Sequence, residues 1–313
     1  MIPALRPLAG RLVNLSISES NDSASRGYPA WQINRVTLQL VAALFGQGAS
    51  IAFGHDWRED GVMEAICGFA RQVQPPIPLS EDDVAAEIQP LLWNLLPWPD
   101  RPFLSEEDRE RLSSTLHVEP AGLPDDLGTL AEEASRAEPN TDLYSYVRAR
   151  GLTYLRHRLT AACDVRFCLG GRRGGFAGRY PGIVEEALLA IRSDKPLFLA
   201  GFLGGATEQI IDAMEGKRMP DDFCPKPPED LYRRFSAREA EIGFISDRVI
   251  DREGVWNEFA EAGITRLART NGLTVEENQQ LFHTPVIDAV VELVLTGLSN
   301  RGPVHPENIE REG

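Results

Sequence analysis

Residues 169–190 read LGGRRGGFAGRYPGIVEEALLA and combine the residue types that hold a phosphorylated ligand. Gly170, Gly171, Gly174, Gly175 and Gly178 leave the backbone bare, Arg172, Arg173 and Arg179 bring charge, and Glu185 and Glu186 follow as a pair. Bare peptide N–H groups can approach a phosphate closely, and a helix starting near Pro181 and Gly182 would point its positive end at the same place. That end carries only about half a unit charge, so the arginines would supply the stronger and more directional grip. Glu185 and Glu186 lie about 100° apart on a helix, so they cannot both face one ligand. Glu185 is expected to face inward, where it could accept hydrogen bonds from ribose hydroxyls. Glu186 is then expected to face solvent or to complement the first helical turn.

Charge along the chain is uneven. The 313 residues carry a formal net charge of −15, which argues against a nucleic-acid partner because phosphate neutralisation needs a basic surface. Residues 81–140 hold 15 acids against four arginines, whereas residues 148–179 hold eight arginines against the single acid Asp164. Arginines concentrated in an acidic protein fit a small anion, and pairing with the acidic segment is the structural alternative. No apolar run approaches the ~18 residues of a membrane span, so no membrane partner is expected. The N-terminus lacks the apolar core of a secretory signal. Cys67, Cys163, Cys168 and Cys224 show no CxxC spacing and read as buried or free thiols of a reducing cytosol.

The elements that must position these residues follow a strand–helix rhythm. Strands are expected at 10–18, 49–55, 164–171 and 195–205, each followed by a helical pattern, so the natural assembly is an α/β, Rossmann-like parallel sheet sandwiched by helices. Gly151 interrupts the helical pattern over 142–163 and allows a break there. Residues 75–140 are acidic and proline-rich, an insertion expected to add one short strand or a pair that wraps the sheet edge. The chain therefore divides into a ligand domain over 1–215 and a helical extension over 216–313, with a disordered tail at 301–313. Thr274 ahead of Glu276 and Glu277 signals a capped helix start. Val286, Ile287, Val290, Val291 and Val294 form an apolar face that either the sheet domain or another copy of the chain, as a homo-oligomer, must cover.

In such a sheet, ligands bind outside the carboxyl ends of the strands. Four strand ends meet that description here: Ser18, Glu19 and Ser20; Gly54 and His55; Gly170 and Gly171; and Gly201 with Gly204 and Gly205. Arg156, on the preceding helix, joins them if the chain folds back. No GxGxxG follows the first strand and no GxxxxGK[ST] occurs, which removes support for an ordinary dinucleotide fingerprint or a triphosphate loop. There is no zinc or calcium spacing and no nucleophile–histidine arrangement, so neither a metal nor a resident cofactor is expected.

The segment LGGR…GRYPGIVEEALLA followed by KPLFLAGFLGGA, with SISES and FGHDWREDGVMEAI earlier, resembles the SLOG superfamily of Rossmann-like nucleotide-ligand domains. That superfamily includes the lonely-guy phosphoribohydrolases and the ligand-sensing domains of bacterial NAD-derived signalling systems. The resemblance implies phosphate contacts from Gly170, Gly171 and Gly182, and a ribose or glycosidic-bond role for Glu185 or Glu186. The hydrolytic members carry a compact proline–glycine–glycine–x–glycine–threonine–x–x–glutamate run. This chain lacks the threonine and has a longer loop, RRGGFAGRY, so it looks more like the sensor branch.

Two functions follow as expectations. The first is a sensor for a nucleotide-derived small molecule of the ADP-ribose or cyclic ADP-ribose type, with the C-terminal helices reporting occupancy. The second is an N-glycoside hydrolase, in which Glu185 or Glu186 stabilises an oxocarbenium-like transition state and His55 or Glu19 protonates the leaving base. A pure protein-interaction scaffold would leave the glycine loop unexplained, since each glycine carries an ordering cost.

Overall fold

A computed structural model describes residues 6–20, 22–54, 63–73, 90–99, 110, 113, 115–224 and 251–302. Its strands are β1 (Leu12–Ser18), β2 (Ser50–Gly54), β3 (Leu92–Leu96), β4 (Leu116–Pro120), β5 (Val165–Gly170) and β6 (Leu197–Ala200). They form one parallel sheet in the order β4-β3-β2-β1-β5-β6. The helices are α1 (Asp22–Ser25), α2 (Gln32–Gly46), α3 (Met63–Val73), α4 (Thr129–Arg136), α5 (Asp142–Ala162), α6 (Gly182–Arg192), α7 (Gly205–Met214), α8 (Arg252–Asn271), α9 (Val275–His283) and α10 (Ile287–Asn300).

Alternation along the strands sorts side chains to two faces. Val13, Ile51, Phe167 and Phe198 pack with α2, α3 and α10 on one face. On the other, Leu197 and Leu199 meet α6, α7 and α8, while Ala52 and Leu95 meet Leu155 and Leu159 of α5. Both faces are covered, as an all-parallel sheet requires.

Strand order reverses between β1 and β5, which run in register from Val13 opposite Val165 to Ser18 opposite Gly170. Chain leaving β1 turns to one side and chain leaving β5 to the other, so a crevice opens at their carboxyl ends.

Three features refine the sequence reading. The acidic insertion does not merely wrap the edge: it contributes β3 and β4, which extend the sheet in parallel beyond β2. Helix α5 runs unbroken through Gly151, because the bare backbone there lets the helix close on Trp98 and Leu123, whose atoms would lie 3.4 and 2.9 Å from a Cβ. The apolar face of α10 is covered in part within the chain, one of the two alternatives expected: Ile287, Val290 and Val294 are buried in the core shared with α2, Val291 is half-buried against it, and Val286 is 56% exposed. The helices expected over 227–250 and the tail over 303–313 lie outside the described residues.

The β6 edge is closed by the C-terminal helices. The Asn271 side chain donates to the Leu197 carbonyl at 3.0 Å, and the Gly201 amide donates to the Phe282 carbonyl at 3.0 Å. Unpaired strand groups are thereby satisfied at an edge that would otherwise invite pairing with another chain. Asn271 is fully buried, bonds Asn278 at 2.7 Å and accepts from the Leu273 amide. Thr274 and Glu277 form the expected capping box at the start of α9. Replacing Asn271 with Ala strands several buried polar groups, and urea unfolding should show a loss of about 3 kcal/mol.

Candidate functional site

The crevice is built by unusually close backbone packing. The Gly171 amide donates to the Ser18 carbonyl at 2.8 Å, and the Gly171 carbonyl accepts from Ala206 at 3.0 Å. A Cβ on Gly205 would stand 2.3 Å from the Gly171 carbonyl oxygen and 2.8 Å from Ser20 Oγ, and Gly205 has a φ of +76°. Gly170, with a φ of +71°, presses equally close to the Ser18 carbonyl. Only glycine satisfies both the contact and the backbone conformation at these two positions. Gly171 lies against Ile183 and Ala206, so the first turns of α6 and α7 converge on it.

The start of α7 is held by the connection after β1. Asp22 Oδ2 accepts from the Gly205 amide at 2.8 Å and pairs with Arg173 at 2.7 Å. Arg173 also reaches Glu208 at 3.0 Å and Asp222 at 3.1 Å, and Arg26 binds Glu208 at 2.5 Å. This network ties the glycine loop to both neighbouring loops.

A second network runs under α5 and α6. Arg166 projects from β5 and is 2% exposed, donating to Ser16 at 2.6 Å, Thr160 at 2.8 Å and Glu186 at 3.0 Å. Glu186 lies 3.6 Å from Arg156, which also bonds Glu185, and Glu185 accepts from Thr153 at 2.6 Å. Guanidinium and carboxylate groups thus alternate from the sheet centre to the first turn of α6. The expectation that Glu186 faces solvent is corrected: a buried arginine on the strand draws it inward. Glu185 is inward as expected, 5% exposed.

The N-cap of α6, Pro181, makes no side-chain hydrogen bond to the helix start. Arg156 packs beneath it, and a Cβ on Gly178 or Gly182 would lie 2.6 or 3.0 Å from the guanidinium. Arg156 therefore stands at a helix terminus, but its charge is already paired with Glu185 and lies 3.6 Å from Glu186. Arg172 is exposed on the loop that precedes α6 and has no ion pair among the described residues.

Below this point, α5, α6 and the first turns of α8 enclose a cavity of about 210 Å³. Arg179, Tyr180 and Glu185 line it and Gly171 does not. Burial pushes the Tyr180 hydroxyl above its ordinary pKa, despite neighbouring Arg179 and the Asp251 backbone.

The sequence-predicted residues fall into two neighbouring groups. Ser18, Ser20, Gly170, Gly171, Gly204 and Gly205 meet at the crevice, and Arg156, Gly178, Pro181, Gly182, Glu185 and Glu186 meet at α6. Glu19 is exposed just beyond β1, whereas Gly54 lies under Leu155 and Gly201 packs against Ile211 and Phe282. His55 lies outside the described residues. Sequence reading missed Asp22, Thr153, Arg166 and Glu208. Arg166 had a visible signal, a charge in the middle of an otherwise apolar strand.

Other arginines of the basic stretch pair with the acidic segment: Arg150 with Asp126, and Arg158 with Glu119 at 2.6 Å. All four cysteines are free and buried, and burial pushes Cys163, Cys168 and Cys224 up to about 12. Ellman's reagent at pH 8 should therefore react with these thiols only after unfolding. Replacing Arg166 with Met strands a buried carboxylate, and a loss of about 3–5 kcal/mol is expected in urea unfolding.

Neither a curated protein nor a solved structure matches this chain. A family model described as SLOG cluster2 does, over residues 7–281, a span that includes the acidic insertion and reaches α9. The glycine loop, the reversal of strand order beside it and the paired glutamates of α6 all lie within that span, and the chain belongs to the SLOG cluster2 family.

Proposed function

We propose that the protein is a cytosolic sensor that binds a nucleotide-derived small molecule of the ADP-ribose type at the β1–β5 crevice. The observation that carries this reading is the start of α6 beside the reversal of strand order, where the Pro181 N-cap makes no side-chain hydrogen bond, Arg156 packs against Gly178 and Gly182, and the preceding loop carries the exposed Arg172. Phosphates would rest there, within reach of the loop 171–181, with ribose toward Glu185. Residues 1–215 would form the ligand domain and 216–313 its extension.

The carboxylates favour binding over hydrolysis. Glu185 is held by Arg156 and Thr153, and Glu186 by Arg166 and Arg156. A carboxylate that stabilises an oxocarbenium-like transition state must reach the anomeric carbon, and both side chains are already engaged by partners within the protein. The C-terminal helices contact β6 and α7, so differential affinity for two arrangements of that contact could report occupancy.

Incubation with NAD, ADP-ribose and AMP, followed by thermal shift and by chromatography of released base, tests the reading. Expected is a rise in Tm without base release. Arg172→Ala should weaken binding about tenfold through loss of a charge-assisted contact, while Arg136→Ala, far along the acidic segment, leaves it unchanged. Base release abolished by Glu185→Gln would establish the hydrolase instead. No thermal response to any of the three would sink the nucleotide reading.

A further inference from the structure

We propose that the cavity between α5, α6 and α8 is a second site for a small organic carboxylate built on a single ring, distinct from the proposed nucleotide crevice although Glu185 borders both. Its volume of about 210 Å³ suits a compact molecule. Pockets that enclose whole drug-sized ligands run to ~300–1,000 Å³, so a complete dinucleotide does not fit.

The lining specifies the chemistry. Leu188, Leu189 and Val255 form an apolar wall, all three buried, and Tyr180 adds a ring beside them. Most of the charge around the cavity is already engaged. Glu185 is taken by Arg156 and Thr153, and Arg192 pairs with Glu258 through two bonds of 2.9 Å. Asp251, exposed at the rim, caps α8 at Gly254.

Arg179 is the exception. Its Nε and Nη2 are sealed from water and have no acceptor among the described residues. Those two nitrogens share one edge of the planar guanidinium, the edge that grips both oxygens of a carboxylate in parallel. A buried charged donor without an acceptor is costly; both nitrogens are sealed away from the cavity, so the side chain must turn for an entering carboxylate to supply what is missing. The ring then rests on the leucine and valine wall.

The walls come from three elements, and the Asp251 backbone meets the Tyr180 hydroxyl across the mouth. An occupant therefore binds the glycine loop to α8.

Isothermal titration of the full chain with benzoate and with benzamide, its uncharged isostere, tests the site. Benzoate should bind about tenfold more tightly than benzamide, the difference that a charge-assisted bidentate pair makes. Arg179→Gln should erase that preference, and Arg179→Lys should restore only part of it. Val255→Trp fills the cavity and should abolish benzoate binding; far-UV circular dichroism and urea unfolding verify that the variant folds.

Equal binding of the two probes, or benzoate binding unchanged in both Arg179→Gln and folded Val255→Trp, overturns the proposal. AMP titrated into the same variants separates the two sites. AMP affinity retained in Val255→Trp supports two distinct sites, and AMP lost together with benzoate overturns the distinction. Benzoate binding without any AMP binding leaves this site standing and removes the nucleotide reading.

Discussion

The fold depends on a charge placed where strands are normally apolar. Arg166 sits in β5, next to the reversal of strand order, and its guanidinium must be satisfied inside the protein. Ser16 and Thr160 take part of it, and Glu186 neutralises it. Glu186 in turn lies beside Arg156, and Arg156 holds Glu185. Each member left alone would be a buried uncompensated charge, so the chain of pairs fixes α5 and α6 against the sheet together or not at all. Apolar packing could cover this face as well, but it would not set the angular position of α6. The ion chain does, and with it the direction in which the α6 N-terminus points.

Around that anchor, glycine serves closeness more than openness. At the β1–β5 crevice, several glycine amides and carbonyls bond to neighbouring loops: Gly171 to Ser18 and Ala206, Gly204 to Gly201, and Gly205 to Asp22. Missing side chains let three strand ends and two helix starts pack within hydrogen-bond distance. At the start of α6, Arg156 packs against Gly178 and Gly182. A guanidinium only donates, so it cannot cap the helix amides, and Pro181 supplies no side-chain cap.

The C-terminal helices belong to this arrangement rather than hanging beside it. α8 and α9 satisfy the free edge of β6 through Asn271 and Phe282, and α10 is buried against α2 on the opposite face. α8 also closes the cavity beside Glu185. A change at the glycine loop is thereby mechanically continuous with the C-terminal region, through Tyr180 and through α7.

The sequence by itself determined the periodicities, and these depend on local geometry. Strand patterns at 10–18, 49–55, 164–171 and 195–205 became β1, β2, β5 and β6, and Thr274 with Glu277 became a capping box, because pleat, helical turn and cap span only a few residues. The glycine loop was legible for the same reason, and so was its position at a strand end. Only the tertiary structure decided which charges meet. Glu186 turned inward because Arg166, 20 residues away on β5, lay beneath it; Asp22 reached α7 across 183 residues; and the insertion strands joined β2 because hydrogen-bond partners were open there. Such pairings depend on which surfaces are brought together in space, and no spacing along the chain encodes that.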